Sequence, residues 1–139
     1  MKKNLRKKRM SMKDEKGQTL VSFALILPIL VMLFALVIDT GTIYLEQKEL
    51  RDGVLTGLKY GMKHHPNDVK EQMRALIREN VEGISILNIY IEENQIKVQA
   101  KKPKKQNFMQ FIIQDNPDIE VIYTAYLDNN KWKIVKERG

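Results

Sequence analysis

The two histidines, His64 and His65, are the first residues to consider for metal binding or acid–base chemistry. Neighbouring side chains at a helix end diverge by about 100°, so these two rings cannot readily share one metal ion. The chain contains no cysteine and has no carboxylate at ligand spacing from the histidines. The sequence therefore predicts no metal site and no cofactor.

Other motifs of catalysis are missing from the sequence. It contains no phosphate-binding loop, nucleophile elbow or paired-carboxylate arrangement, so we predict that the chain is not an enzyme and expect no small-molecule substrate. The lysines at 101, 102, 104 and 105 are predicted to form a solvated strand end and turn. Contact with an anionic surface polymer or with lipid head groups is the functional alternative for them.

The positive charge of the chain is concentrated at its N-terminus. Residues 1–17 contain eight of the 24 basic residues and two acidic ones, so they hold +6 of the net charge of +7. A terminal cluster beside an apolar segment is not the basic face of a nucleic-acid-binding domain. We therefore expect no nucleic-acid partner.

The segment from Thr19 to Ile38 is predicted to span a membrane. It is twenty residues long and uncharged, and about 30 Å of helix matches a hydrocarbon core. The basic residues precede it and Asp39 follows it, so the positive-inside rule places the N-terminus in the cytoplasm. The predicted domains are a leader (1–17), a transmembrane helix (18–38) and an extracytoplasmic domain (39–139). A cleaved secretory signal is disfavoured by the length of the apolar segment and the poor cleavage site after it.

A motif at the start of the span carries a family resemblance. Residues 16–28 read KGQTLVSFALILP, with a charged leader that ends in glycine and an apolar helix with an internal proline. This pattern resembles the prepilin processing region of type IV pilins, and more closely that of the TadE/TadG-like pseudopilins. The positions that match are Gly17, Phe23, Ala24, Leu25 and Pro28. Ser22 stands where the family usually has glutamate.

The resemblance implies a processing site and a set of partners. A prepilin peptidase would cleave between Gly17 and Gln18, and the mature helix would pack in the membrane with other pilin-like subunits. Ser22 cannot provide the charge that the usual glutamate offers to a neighbouring N-terminal amine. Residues 50–61 and 96–127 also resemble the family's later segments. The implied function is a minor pseudopilin or structural assembly component of a tight-adherence type IV pilus or related secretion system. The alternative is an uncleaved, signal-anchored extracytoplasmic binding domain.

Two helices are predicted before the strands begin. Residues 39–63 contain no proline and continue the span as one long helix. The sequence His64-His65-Pro66 should end it, because the residue before a proline is biased away from helical geometry. Asn67 or Asp68 can cap a second helix that runs to about Glu82, with Gly83 at its C-terminal end.

After Gly83 the pattern changes to short runs of β-branched residues. We predict strands over 84–91, 96–101, 119–127 and 131–136, with turns at 92–95 and 128–130 that make two antiparallel hairpins. A short amphipathic helix containing Phe108, Phe111 and Ile112 is predicted in the crossover. The fold class is therefore α+β, with a long N-terminal helix, a second helix and a small pilin-like antiparallel sheet.

Three glycines in the long helix form a further candidate site. Gly53, Gly57 and Gly61 recur at four-residue intervals and so share one helix face. Each lowers helix stability by about 1 kcal/mol relative to alanine, which invites a structural reason. We predict a packing surface for the sheet or for a neighbouring subunit, where leucine at Gly57 would be disruptive and alanine mild. A loose, partly broken helix is the alternative.

Overall fold

A computed structural model describes the backbone of residues 2–105, 108 and 118–137, and the side chains of this set from Lys16 onward. The elements are helices α1 (Lys2–His64) and α2 (Lys70–Asn80), followed by strands β1 (Ile86–Glu92), β2 (Gln95–Lys102), β3 (Ile119–Asp128) and β4 (Lys131–Glu137). The predicted α+β class and the order of its elements are confirmed.

Two compact units divide the chain, Met1–Asp39 and Thr40–Gly139, and helix α1 contributes to both. In the first unit, the side chains of residues 16–34 are all exposed. Among the described helices, α1 alone is long and apolar enough to cross a membrane, with a mean hydropathy of 3.0 over its most apolar window and none of that window buried. The helix continues through Pro28, which lies inside it.

Helix α2 is shorter at both ends than the sequence predicts. Its first helical residue is Lys70, whose backbone N–H donates to Asp68 Oδ1 over 3.2 Å, so Asp68 does provide a local acceptor. At the other end Val81 is already extended, and Gly83 adopts a φ of +73° that favours glycine. Met73 and Ile77 are the buried residues of this helix.

The four strands form one antiparallel sheet in the order β1-β2-β3-β4. Both predicted hairpins are present, and the pairing of β2 with β3 joins them. Asn129 and Asn130 both have positive φ in the second turn, as a tight hairpin with a right-handed strand twist requires. Of the three residues named for the predicted crossover helix, Phe108 is described and is exposed, whereas Phe111 and Ile112 lie outside the described residues.

The core of the second unit lies between the sheet and the two helices. The predicted inward alternation is confirmed, because residues 96, 98 and 100 of β2 and residues 121, 123 and 125 of β3 are buried. Both predicted helical faces contribute to the same cluster, so α1 and α2 cover the sheet together. The buried apolar residues of α1 and of the segment around α2 are Leu50, Val54, Leu58, Val69, Met73, Ile77 and Val81.

Candidate functional site: the glycine positions of helix α1

The predicted processing residues lie on an open stretch of α1. Gly17 and Gln18 are exposed, and a Cβ added at Gly17 would meet nothing within 4 Å. No side chain of the described residues therefore obstructs this glycine. Its role as a cleavage site stays a prediction.

The other motif residues of the span also have exposed side chains. Ser22, Phe23 and Pro28 are exposed in the chain, and Phe23 keeps 61% of its surface. Within a membrane these side chains would face lipid or another protein, because apolar surface of this extent is not left in water. Ser22 brings no charge to this surface.

The glycines at 53, 57 and 61 lie in a very different environment, because α2 packs directly against them. A Cβ added at Gly53 would overlap Val81 Cγ2, and one added at Gly57 would overlap Ile77. At Gly61 the added Cβ would lie 2.5 Å from Met73 Sδ. These separations are far below van der Waals contact, so each glycine lets a side chain of the α2 segment approach the α1 backbone closely.

The spacing of the two sets of residues matches. Gly61, Gly57 and Gly53 face Met73, Ile77 and Val81 in turn, and both sets repeat every four residues. Ridges at four-residue spacing that pack into grooves at the same spacing are a common mode of helix packing. This glycine–α2 contact buries Met73, Ile77 and Val81 almost completely.

The structure therefore shows the three glycines packed against another part of the same chain, on a helix that is unbroken through all three. The sequence predicted the sheet or a neighbouring subunit as the packing partner, whereas the main contact is with the α2 segment. The matched four-residue repeats were the signal that could have identified it. A role for these glycines in contacts between subunits stays a prediction.

The tolerance of the three positions to a side chain should differ. At Gly57 an added Cβ would lie 2.6 Å from Ile77 Cδ1 and 3.3 Å from the backbone oxygen of Met73. The close atoms at Gly61 belong to the flexible end of Met73, which can move. At Gly53 the overlapped atom belongs to the stiff, β-branched Val81, so Gly53 and Gly57 should both tolerate a side chain less well than Gly61. Alanine at Gly57 should therefore be less mild than the sequence predicts.

An ion pair between a buried lysine and a half-exposed glutamate lies one turn before Gly53. Lys102 Nζ is 3.2 Å from Glu49 Oε2, and the Lys102 side chain is only 5% exposed. Glu49 Oε1 also accepts the backbone N–H of Glu82 over 3.3 Å, so Glu49 links α1 to the chain after α2. The prediction that Lys102 is solvated is wrong. It continues the inward alternation of β2, and Glu49 neutralises its charge there.

Glu46 is a buried carboxylate that sequence reasoning did not single out. It is 5% exposed, and neither of its carboxylate oxygens has a hydrogen-bond partner among the described residues. It lies on α1 four residues before the fully buried Leu50, hence on the same helix face. A buried polar group without a hydrogen bond destabilises the folded state.

The two histidines make separate contacts, His64 within its own helix and His65 with the sheet. His64 Nδ1 donates to the Tyr60 carbonyl oxygen over 2.9 Å, on its own helix. His65 Nε2 donates to the Glu92 carbonyl oxygen over 3.2 Å, and its ring meets the edge of Trp132 with centroids 5.1 Å apart. No group of three or more metal-binding side chains is placed to hold a metal ion within the part of the chain that the structure describes.

A charged pair crosses the outer face of the sheet. Lys97 Nζ donates to Glu137 Oε2 over 2.6 Å, and Thr124 Oγ1 donates to Glu137 Oε1 over 2.6 Å. The hydrogen bond from Lys97, followed by that from Thr124, lowers the pKa of Glu137 below its ordinary value of 4.5. The same bond to Glu137 raises the pKa of Lys97 above 10.5. Each side chain keeps a third of its surface, so the pair is partly solvated.

The architecture is an apolar helix long enough to cross a membrane that continues into a small α+β domain. The model of the TadE-like protein family matches residues 17–58. This match is consistent with a TadE/TadG-like assignment, and it begins at the predicted scissile glycine. Among curated proteins and solved structures, none matches the chain.

Proposed function

We propose that the chain is a minor pseudopilin, a structural or assembly component of a tight-adherence type IV pilus or a related secretion system. The observation that carries this proposal is the TadE-like match over residues 17–58, which spans Gly17, the apolar part of α1 and two of the three packed glycines. The match supports a pilus-related component, and the basic leader supports a substrate of prepilin peptidase. The chain then acts by packing and not by catalysis.

The proposal includes a topology. Residues 1–17 carry the basic cluster on one side of the apolar helix, so the positive-inside rule places the leader in the cytoplasm and the α+β domain outside. Other pilin-like subunits in the same membrane are the expected partners. Because Ser22 cannot form a charge pair with a neighbouring N-terminal amine, these contacts depend on helix packing.

Processing is tested by changing one open glycine and using another as the control. Gly17→Leu should abolish cleavage in cells that contain an active prepilin peptidase, whereas the unaltered protein should be recovered starting at Gln18. Gly41→Leu is the matched control, because Gly41 lies in the same helix and an added Cβ there also meets nothing within 4 Å. Intact-mass measurement of the membrane protein shows whether each variant is cleaved.

The contrary result is an unaltered protein that keeps residues 2–17 beside a working peptidase. That result would remove the pseudopilin proposal and favour the signal-anchored binding domain. Cleavage that persists in Gly17→Leu would show that the peptidase acts elsewhere.

The topology has its own test, since the chain has no cysteine and an introduced thiol is unique. On intact cells or protoplasts, a cysteine at Asn129 should react with a membrane-impermeant maleimide and one at Asn4 should not. Asn129 is exposed in the β3–β4 turn. Reaction at Asn4 alone would reverse the proposed orientation.

A further inference from the structure

The sheet has two edge strands, β1 and β4, and within the described residues each pairs with one neighbour only. In an antiparallel ladder, alternate residues point their backbone N–H and C=O groups toward the partner strand. The remaining residues of an edge strand point these groups away from the sheet. Such an edge is a template for another strand.

The two edges also carry exposed apolar side chains. Tyr90 is 53% exposed on β1 and Val135 is 49% exposed on β4. Ile86 and Ile134 are exposed as well, so these strands hold four of the eight large exposed apolar residues described after Thr40. Both edges therefore present apolar surface as well as backbone hydrogen-bonding groups.

The charges of the two edges are opposite. Strand β4 carries Lys131, Lys133 and Lys136, which are all exposed. Strand β1 ends at Glu92, with Glu93 next to it in the turn. A cleft of about 660 Å³ lies beside β1, and its lining includes these two carboxylates and Asp68 against the single lysine Lys70. The β1 edge is thus acidic where the β4 edge is basic.

The register of the sheet brings these features into alignment. Glu92 lies level with Lys133, because Glu92 pairs with Gln95, Gln95 with Tyr126 and Tyr126 with Lys133. By the same rule Ile91 lies level with Ile134, and Tyr90 with Val135. One of these three pairs has opposite charges, and the other two join apolar side chains. The two edge strands also run in opposite directions, as antiparallel pairing requires.

We propose that β4 of one copy pairs antiparallel with β1 of a second copy of this chain, so that the sheet continues from one domain into the next. Glu92 then faces Lys133 of the neighbouring copy, and Tyr90 packs against Val135. On the other face of the sheet, Ile134 and Lys136 enter the acidic cleft beside β1. Lys133 is held by Asp128 within its own chain, but that pair is exposed and contributes little.

This contact is head-to-tail, since each copy offers a different edge to its two neighbours. Two seven-residue strands form an interface at the small end of the range for stable complexes. Anchoring in one membrane raises the effective concentration of the partners and makes such a contact effective. The proposal does not depend on removal of the leader.

Cysteine cross-linking in membranes tests the register directly. Full-length Tyr90→Cys and Val135→Cys are co-expressed and mildly oxidised, because side chains directly opposite each other lie within disulfide reach. A disulfide-linked dimer is expected from the mixture and not from either variant alone. Glu79→Cys, on the exposed side of α2, replaces Tyr90→Cys in the control mixture and should not cross-link.

A charge exchange sharpens the test. Glu92→Lys in the Tyr90→Cys copy should lower the dimer yield roughly 2- to 5-fold, and Lys133→Glu in the Val135→Cys copy should restore it. The absence of a dimer from the mixture, while both thiols react with maleimide, would overturn the proposal. So would dimers of Tyr90→Cys alone, which would show symmetric pairing of two β1 edges, or equal yield from the Glu79→Cys control.

Discussion

Helix α1 contains two kinds of glycine position, and the comparison between them shows what the residue contributes at each. An added Cβ meets nothing within 4 Å at Gly17 or Gly41, whereas at Gly53, Gly57 and Gly61 it would overlap side chains of the α2 segment. All five glycines carry the same intrinsic helix penalty of about 1 kcal/mol. At the packed positions that penalty is offset by close contact with buried side chains. At the open positions no packing contact offsets it, and at Gly17 the proposed reason is recognition by a peptidase.

The largest effect is expected from leucine at the middle packed glycine. Gly57→Leu should lower the free energy of unfolding by about 3 kcal/mol, because the side chain has to displace Ile77 and approach the backbone of Met73. Urea unfolding of the full-length protein in detergent micelles measures this, followed by the fluorescence of Trp132, the single tryptophan.

The matched control is again Gly41→Leu, which adds the same side chain to the same helix where nothing is close. Its unfolding midpoint should stay at or above that of the unaltered protein, since leucine is a better helix former than glycine. Equal loss of stability in both variants would mean that the difference between packed and open positions has no energetic consequence.

A smaller effect of opposite sign is expected at Glu46, which is buried among the packed part of α1 without a hydrogen bond from any described residue. Glu46→Met should raise the free energy of unfolding by about 2 kcal/mol, because an apolar side chain of similar size removes the unsatisfied buried carboxyl group. The same change at Glu49 should destabilise the domain, since it leaves Lys102 buried without its partner. Destabilisation by Glu46→Met would show that this carboxylate has a stabilising contact after all.

Alanine substitutions should separate the glycine positions of α1 by smaller changes in the free energy of unfolding. Gly57→Ala should destabilise by about 1 kcal/mol, the steric effect exceeding the gain in helix propensity, while Gly41→Ala should stabilise by up to about 1 kcal/mol. Gly61→Ala should be nearer to neutral, because the flexible end of Met73 can move aside. Stabilisation at Gly57 as large as at Gly41 would contradict the close approach of α2.

The smallest effect is expected for the partly solvated Lys97–Glu137 ion pair on the sheet, which takes no part in the contact between the α1 glycines and the α2 segment. The lowered pKa of Glu137 means that its contribution is present above pH 4.5 and is lost as the pH falls through the folded-state value. The raised pKa of Lys97 means that its contribution is present below pH 10.5 and is lost as the pH rises through the folded-state value. Glu137→Gln should therefore flatten the acid side of the stability profile and leave the effect of Gly57→Leu unchanged.

Much of the fold follows from local sequence patterns. The apolar run, the proline after His65, the two turns and the period-two alternation of β2 and β3 predict the elements and their order. Each of these signals acts within a few residues. The packed glycines were also visible as a four-residue repeat, and the matching repeat of Met73, Ile77 and Val81 was available in the same sequence.

The features that the sequence did not predict depend on contacts between distant parts of the chain. Lys102 was predicted to be solvated as part of a strand end and turn with the lysines at 101, 104 and 105, but it is buried against Glu49, which is 53 residues away. The burial of Glu46 likewise depends on tertiary packing, and its place on the face of Leu50 gives no indication that its oxygens lack a hydrogen bond. The short α2 reflects the extended conformation at Val81, which local propensity did not indicate.

Three side chains of the α2 segment pack on three glycines of α1. This packing also determines how the domain responds to force applied along α1. If α1 slides by less than one four-residue repeat, about 6 Å, Ile77 leaves Gly57 and meets a residue that has a side chain. Met73 and Val81 leave their glycines at the same moment, so the three contacts resist displacement together. Rotation of α1 about its axis has the same effect. The contact therefore keeps the α2 segment at a fixed axial position on α1, and a pull on the helix is transmitted to the domain with little sliding.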